Sequence, residues 1–282
     1  MAAGKGTRLL PLTLGISKQL LPVFDKPLIY YALSTLMLAQ IRDVLIISDS
    51  QNHESFSRLI GDGTNLGMSI SFAIQSEPNG IAEGFLIGKH FIGNSSVTLA
   101  LGDNIFYGQS LKSRLKALNG VSGAQIFAYE VNNPNSYGVV EFDSCRKIVS
   151  LEEKPKVAKS NYAIPGLYSY DNSVVGVAKS ITPSARGELE ITSVNEIYFQ
   201  SGLLNIEVLD QDITWLDVGS LETFLAASTR IQNFELENRI KLACLEEVAW
   251  QNGWLTDEQL LANSEVYGHS TYGKYIRNLI KV

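Results

Sequence analysis

Short, wholly apolar, β-rich runs recur through the first hundred residues with helix-like stretches between them, and that alternation limits the chain to a small set of folds. Val44-Leu45-Ile46-Ile47 is bounded by polar residues, and residues 69–74 and 97–101 read the same way. A strand without a polar face is one covered on both sides. Between these runs, Leu28, Tyr31, Ala32, Thr35, Leu36 and Ala39 follow the i, i+3, i+4 spacing of one helix face, with Pro27 where a first-turn proline is tolerated. Further helical stretches are predicted near residues 56–60, 80–89 and 111–118. A βαβα series of this kind predicts an α/β fold, a mainly parallel or mixed sheet with helices on both faces.

The middle of the chain changes character. Residues 125–130, 137–142, 148–152 and 162–170 are strand-like, with turn signals such as Asn132-Asn133-Pro134 between them. They predict strands added to the sheet or a small sub-sheet beside it. After about Ser220 the pattern is helical. Trp250-Gln251-Asn252-Gly253-Trp254 marks a helix end and Thr256-Asp257-Glu258 a helix start. The expected division is an α/β core over residues 1–238 and a C-terminal helical extension over residues 239–282.

Composition narrows the function classes. Hydrophobic residues are 45% and charged residues 18% of the 282, so disorder and collagen-like repeats are excluded. No apolar run approaches the roughly 18 residues of a membrane span, and no signal sequence is legible, so a cytoplasmic protein without membrane partners is expected. Cys145 and Cys244 lack metal-ligand or CxxC spacing, and the 3 histidines are scattered. Lys plus Arg is 23 against Asp plus Glu 29, a net charge of −6. That balance argues against nucleic acid as a partner; an anionic substrate needs a local cluster of cations.

Ala2-Ala3-Gly4-Lys5-Gly6-Thr7-Arg8-Leu9 supplies such a cluster: small residues let backbone N–H groups surround a phosphate, and Lys5 and Arg8 can meet its charge. It is not a Walker loop, because Gly6 follows Lys5 where Ser or Thr is required, and it lacks the third glycine and preceding strand of the dinucleotide fingerprint. By itself it is an ordinary glycine turn. Asp103, at the end of the 97–101 strand, stands where ligands of open α/β sheets bind, although a turn or cap aspartate is the bland alternative. Asp217, before a Gly-Ser turn, has the same two readings. Two such aspartates can share a Mg²⁺, which takes one or two carboxylates plus substrate phosphates.

The glycine turn is followed by Arg8-Leu9-Leu10-Pro11-Leu12-Thr13 and Ser17-Lys18-Gln19-Leu20-Leu21-Pro22-Val23. Further along come Gly102-Asp103-Asn104-Ile105-Phe106-Tyr107-Gly108, Tyr137-Gly138-Val139-Val140 and Glu152-Glu153-Lys154-Pro155. Ser184-Ala185-Arg186-Gly187-Glu188-Leu189-Glu190-Ile191-Thr192 and Trp215-Leu216-Asp217-Val218-Gly219 complete the series. In this order the motifs resemble the sugar-1-phosphate nucleotidylyltransferases, and within them the glucose-1-phosphate thymidylyltransferases. The resemblance runs from Met1 into the Ala243 to Trp250 segment.

It implies a Rossmann-like core with added sugar-binding strands, and condensation of dTTP with glucose 1-phosphate to dTDP-glucose and pyrophosphate, the entry to dTDP-rhamnose. It places Ala2, Ala3, Gly4, Gly6, Thr7, Arg8, Gln75 and Gly80 at the nucleotide. Asn104, Gly138, Glu153, Lys154, Tyr168 and Arg186 fall to the sugar phosphate, and Mg²⁺ to Asp103 and Asp217. The catalytic set is Arg8, Lys18, Asp103, Lys154, Arg186 and Asp217. It further implies a homotetramer with an allosteric nucleotide site between subunits. Read without the resemblance, Lys18, Lys154 and Arg186 are surface cations, Glu153 a hairpin-end charge and Tyr168 a core aromatic.

This chain departs from the family pattern at four places. Ala3 stands for a glycine, Lys5 for a small polar residue, Glu83-Gly84 for Gln-Ala, and Pro165 for a threonine. These bear on base and sugar preference and leave open an enzyme using UTP or another sugar phosphate. A non-catalytic nucleotide-sugar-binding regulatory homologue is a second alternative, disfavoured because the charged set is retained. Finally, a central first strand precedes the glycine loop in the family, whereas only Met1-Ala2-Ala3 precede Gly4 here. Loss of such a strand costs on the order of 10 kcal/mol, as much as a whole domain's stability. The expectation is therefore a wrongly assigned start or a truncation; used as written, the chain is expected to be destabilised or to depend on its oligomer, with a poorly held loop and low activity.

Overall fold

The computed structural model describes residues 1–4 and 6–280; Lys5, one of the two loop cations, lies outside the described residues. The chain forms two compact units. One comprises residue 1 and residues 75–215, the other residues 2–74 and 216–282.

The first unit is built on a seven-stranded mixed sheet. Leu167–Tyr170 runs antiparallel between Val97–Ala100 and Ala124–Glu130, and Leu204–Val208 lies parallel to Ala124–Glu130 on another pairing. Tyr162–Ile164 continues the sheet to Gly138–Phe142, which pairs with Ile148–Glu153. The sheet is mixed, with antiparallel pairs throughout its added strands, rather than mainly parallel. The single strand expected over 162–170 is two. Pro165 has no N–H to give a ladder, and Gly166 takes up other bonds, its N–H donating to Asn104 Oδ1 at 2.9 Å and its carbonyl accepting from Leu101 N at 2.8 Å. The chain thereby passes from one pair of neighbours to another. The helix expected from residue 80 begins at Glu83 and ends at Ile87, with Lys89–Ile92 a separate turn. Helices Val174–Ser180 and Ile191–Gln200 cover the sheet. They close a core in which Phe85, Ile126, Tyr170 and Val194 are buried.

In the second unit, Asp43–Ser48 and Ser69–Ile74 form a parallel pair in register from Asp43 opposite Ser69 to Ser48 opposite Ile74. Ala2 N–H donates to Ile47 O at 2.7 Å. Helix Leu28–Leu38 packs against Leu245–Gln251. The helices after Ser220 start as their sequence dictates. Ser220 and Thr223 make a capping box for Leu221–Asn238, and Thr256 and Gln259 one for Asp257–Val266. In a box of this kind each side chain satisfies the other residue's otherwise unpaired backbone donor. Leu260, Tyr272, Ile276 and Cys244 form the core of this helical end. No described helix is long and apolar enough to cross a membrane.

Candidate active site

The glycine loop belongs to the second unit. Gly4 (φ 143°) and Gly6 (φ 54°) take left-handed backbone, and Thr7–Leu9 closes a tight 3-10 turn with Leu9 N donating to Gly6 O at 2.9 Å. Thr13 Oγ1 donates to the same carbonyl at 2.9 Å and fixes the turn. Ala3 is half-buried, and Thr7 and Arg8 are exposed beside the buried Leu9 anchor. Arg8 and Asp217 both approach Gly219: a Cβ there would lie 2.8 Å from an Arg8 guanidinium nitrogen and 3.4 Å from an Asp217 carboxylate oxygen. Lys18 opens the turn Lys18–Leu20, which is held by the buried Ser17 and Gln19.

In the first unit, the residue that follows strand Ser69–Ile74 is Gln75, 5% exposed. Its Nε2 donates to Gly80 O at 3.1 Å and to Glu83 Oε2 at 2.6 Å. Asn79 Nδ2 donates to Glu83 Oε1 at 2.9 Å. Gly80 has φ 109°, and a Cβ there would stand 2.5 Å from the Leu189 backbone. Left-handed backbone and that close approach together require glycine. The loop therefore lies directly against the segment carrying Arg186.

That segment forms a charged cluster. Arg186 Nη2 lies 2.8 Å from each carboxylate oxygen of Glu190, and its Nε donates to Glu190 Oε1 at 3.1 Å. Ser184 Oγ also donates to Glu190 Oε1, at 2.6 Å. Burial lowers the Arg186 pKa, but hydrogen bonding and charge from Glu190 outweigh it and the net shift is upward. Glu153 reaches the same guanidinium at 3.4 Å, accepts from Thr192 Oγ1 at 2.5 Å and lies 3.4 Å from Lys154 Nζ. Lys154 has φ 44°, its backbone N–H donating to Tyr137 O at 2.9 Å. Gly138 keeps this cluster open, since a Cβ would come within 3.0 Å of Thr192 Oγ1. Gly138, Glu153, Lys154 and Arg186 are thus brought together.

Asp103 and Asn104 follow the strand Val97–Ala100. Asn104 is 3% exposed and its amide is engaged: Oδ1 accepts from Gly166 N at 2.9 Å and Trp215 Nε1 at 2.6 Å, and Nδ2 donates to Asp103 Oδ1 at 2.9 Å. It orients Asp103 and pins Gly166. Trp215 is held edge-on by Tyr129 and Tyr137 at 5.7 and 5.0 Å between centroids, fixing the strand that leads to Asp217. Tyr168, 4% exposed, lies in the apolar core and stacks on Tyr170 at 6.4 Å. Glu190 and Thr192 carry no role of their own in the sequence reading, where Glu83 enters only as a departure in the base loop. The signal for Glu190 was present, an acidic residue four positions after an arginine.

The second unit thus carries a glycine loop and, near Gly219, Arg8 and Asp217, and the first unit carries an arginine and lysine cluster around Gly138, each a group of residues suited to holding phosphate. The nucleotidyl transferase family model matches residues 1–233, and the chain belongs to that family. It is 52% identical over 280 residues to the glucose-1-phosphate thymidylyltransferase of Mycolicibacterium smegmatis, covering 99% of this chain and 97% of that one. Identity to the protein of the same name from Neisseria meningitidis serogroup A is 50% over 282 residues, 100% of this chain and 98% of the other. Among solved structures, a Bacillus anthracis protein assigned as a glucose-1-phosphate thymidylyltransferase, in complex with sucrose, superposes with a TM-score of 0.75. Its identity is 35%, and the match covers 81% of this chain and 92% of that chain.

Proposed function

We propose that this chain condenses dTTP with glucose 1-phosphate to give dTDP-glucose and pyrophosphate. The observation that carries the reading is the near full-length similarity to two glucose-1-phosphate thymidylyltransferases. The complete set of loop, cations and carboxylates supports it. No protein nucleophile is required. An oxygen of the sugar phosphate attacks the α-phosphorus in line, the bond from the α-phosphorus to the bridging β-phosphate oxygen breaks, and pyrophosphate leaves with the electron pair. Catalysis is then positioning and charge neutralisation.

Arg8 and the glycine loop hold the leaving pyrophosphate, and Lys18 offsets further phosphate charge. Lys154 and Arg186 bind the sugar phosphate while Glu153 meets the sugar. Gln75 and Gly80 face the base. Mg²⁺ is the cofactor of this reading, with Asp103 and Asp217 as its carboxylates. The donor set suits it, since both are carboxylate oxygen ligands of the kind Mg²⁺ takes. A cation completed by substrate phosphates needs no more. When bound, Mg²⁺ neutralises charge around the α-phosphate. The same reading makes the protein a cytoplasmic homotetramer at the entry to dTDP-rhamnose. The test is pyrophosphate release across the nucleoside triphosphates and several hexose 1-phosphates. Highest turnover with dTTP and glucose 1-phosphate is expected; a preference for UTP or another sugar, or no release from any pair, overturns the assignment.

A further inference from the structure

The turn that carries Lys18 is held from a helix start far along the chain. After strand Asp43–Ser48 come Asp49 and, three residues on, Asn52, which occupies the N-cap position of helix His53–Ile60 and whose carbonyl accepts from Phe56 N at 3.1 Å. An asparagine in that position ordinarily turns its side-chain oxygen onto the backbone N–H groups of the helix's own first turn. Asn52 makes no such bond. Its Oδ1 accepts instead from Ser17 N at 2.8 Å, 35 residues earlier in the chain. The amide cannot be reversed, because Nδ2 donates to both Asp49 carboxylate oxygens, at 2.9 and 3.0 Å. A carboxylate only accepts, so rotation would set the amide oxygen against an anion. Asn52 N also donates to Asp49 Oδ1, at 2.9 Å. Asp49 thereby aims Oδ1 at Ser17.

Ser17 is where the turn Lys18–Leu20 starts. It is 4% exposed, its carbonyl accepts from Leu20 N at 3.0 Å, and its hydroxyl donates to the buried Gln19 side chain. A buried backbone N–H left without an acceptor is costly, so the Ser17 N–H, and the turn that follows it, stays where Asn52 holds it. A cap forgone at one helix so that a distant turn gains an anchor is a local rule broken, the kind of exception expected at a functional site. We propose that Asn52, oriented by Asp49, is a positioning residue for Lys18, holding the turn so that the lysine ammonium meets the phosphate charge of the nucleotide. The proposal rests on the reading of Lys18 as a cation that offsets that charge. Asn52 acts through Ser17 and the turn, without touching either substrate.

The experiment is a double-mutant cycle on kcat/KM for dTTP, read as pyrophosphate release by the whole protein with saturating glucose 1-phosphate and Mg²⁺. Protein in excess over nucleotide gives the rate where turnover is slow, and thermal melting is recorded for every variant. Lys18→Ala is expected to lose about ten- to a hundredfold and Asn52→Ala about three- to tenfold. In the Lys18→Ala background the Asn52→Ala loss is expected to vanish, since a residue that acts only through Lys18 has nothing left to position. A bond that merely supports the fold would cost the same factor in both backgrounds. Asp49→Asn combined with Asn52→Asp reverses the pair: an amide at position 49 donates to a carboxylate at position 52, which still accepts from Ser17 N. This swap is expected to recover kcat/KM to within about twofold of the unaltered protein, whereas Asn52→Asp alone sets two carboxylates together and stays impaired. With Lys18→Ala impaired, additive losses in the cycle or no recovery in the swap overturn the proposal alone. No turnover by the unaltered protein, or an unimpaired Lys18→Ala, overturns the reading of Lys18 and the proposal with it.

Discussion

Arg186 and Glu190 form a two-pronged pair, with Arg186 Nη2 at 2.8 Å from both carboxylate oxygens and Nε at 3.1 Å from one of them. Glu190 is 7% exposed and anchored by Ser184, so the buried partner sets where the exposed cation points. Such forked geometry fixes direction as well as charge. Glu190→Gln is expected to raise the KM for the sugar phosphate by roughly tenfold while the KM for the nucleotide stays near its original value. An unchanged sugar-phosphate KM would show that Arg186 is positioned without Glu190.

Lys154 is expected to act on the same substrate. Lys154→Ala should raise the sugar-phosphate KM by about ten- to a hundredfold, the value of a charge-assisted hydrogen bond made already in the ground state. Stability should barely move, because Lys154 is 45% exposed and its positive φ is no easier for alanine than for lysine. Steady-state kinetics with each substrate varied in turn checks this. Equal weakening of both substrates contradicts it.

Asp217 and the Arg8 guanidinium both lie close to Gly219. Asp217→Asn is expected to lower turnover by about 10² to 10³ while leaving nucleotide binding and the melting temperature largely unchanged. Near-normal turnover at saturating Mg²⁺ would remove Asp217 from the catalytic set.

Lys26 is a buried cation, 2% exposed, held by Asp25 and by Glu235 Oε1 at 2.9 Å. Glu235 also accepts from Leu242 N at 2.9 Å, which ties helix Leu221–Asn238 to the segment after it. Glu235→Ala leaves this charge underpaired and is expected to cost about 3 kcal/mol in denaturant unfolding. Burial raises the pKa of Asp25, yet the adjacent Lys26 charge and the hydrogen bonds from Lys241 and Lys26 bring it below the usual 3.8. A carboxylate depressed on folding contributes stability above its unfolded pKa and loses it as pH falls through the folded one. The Asp25 contribution is therefore present at neutral pH and disappears below about pH 4, and Asp25→Asn should flatten that limb of the stability curve. An unaltered acid limb would contradict the assignment.

Much of this was legible in the amino-acid pattern because local rules governed it. The all-apolar run at 44–47 is a strand, the 28–39 periodicity is a helix, and Thr256 caps the helix it precedes. What escaped depended on pairing at a distance. Strand Leu204–Val208 is defined by its parallel partner Ala124–Glu130, and the break at Pro165-Gly166 by bonds to Asn104 and Leu101. The candidate site divides in the same way. Gly138, Glu153, Lys154 and Arg186 could be named from motifs, and they do converge. Their supports, Glu190 and Thr192, are ordinary polar residues until folding sets each against its partner.

The central claim, direct attack by the sugar phosphate without a protein-bound intermediate, is tested most directly by stereochemistry at the α-phosphorus. Turnover of dTTP carrying sulfur at a non-bridging α-position of known configuration, with glucose 1-phosphate, is expected to give dTDP-glucose with inverted configuration. Retention would reveal a covalent nucleotidyl-protein intermediate and contradict the account.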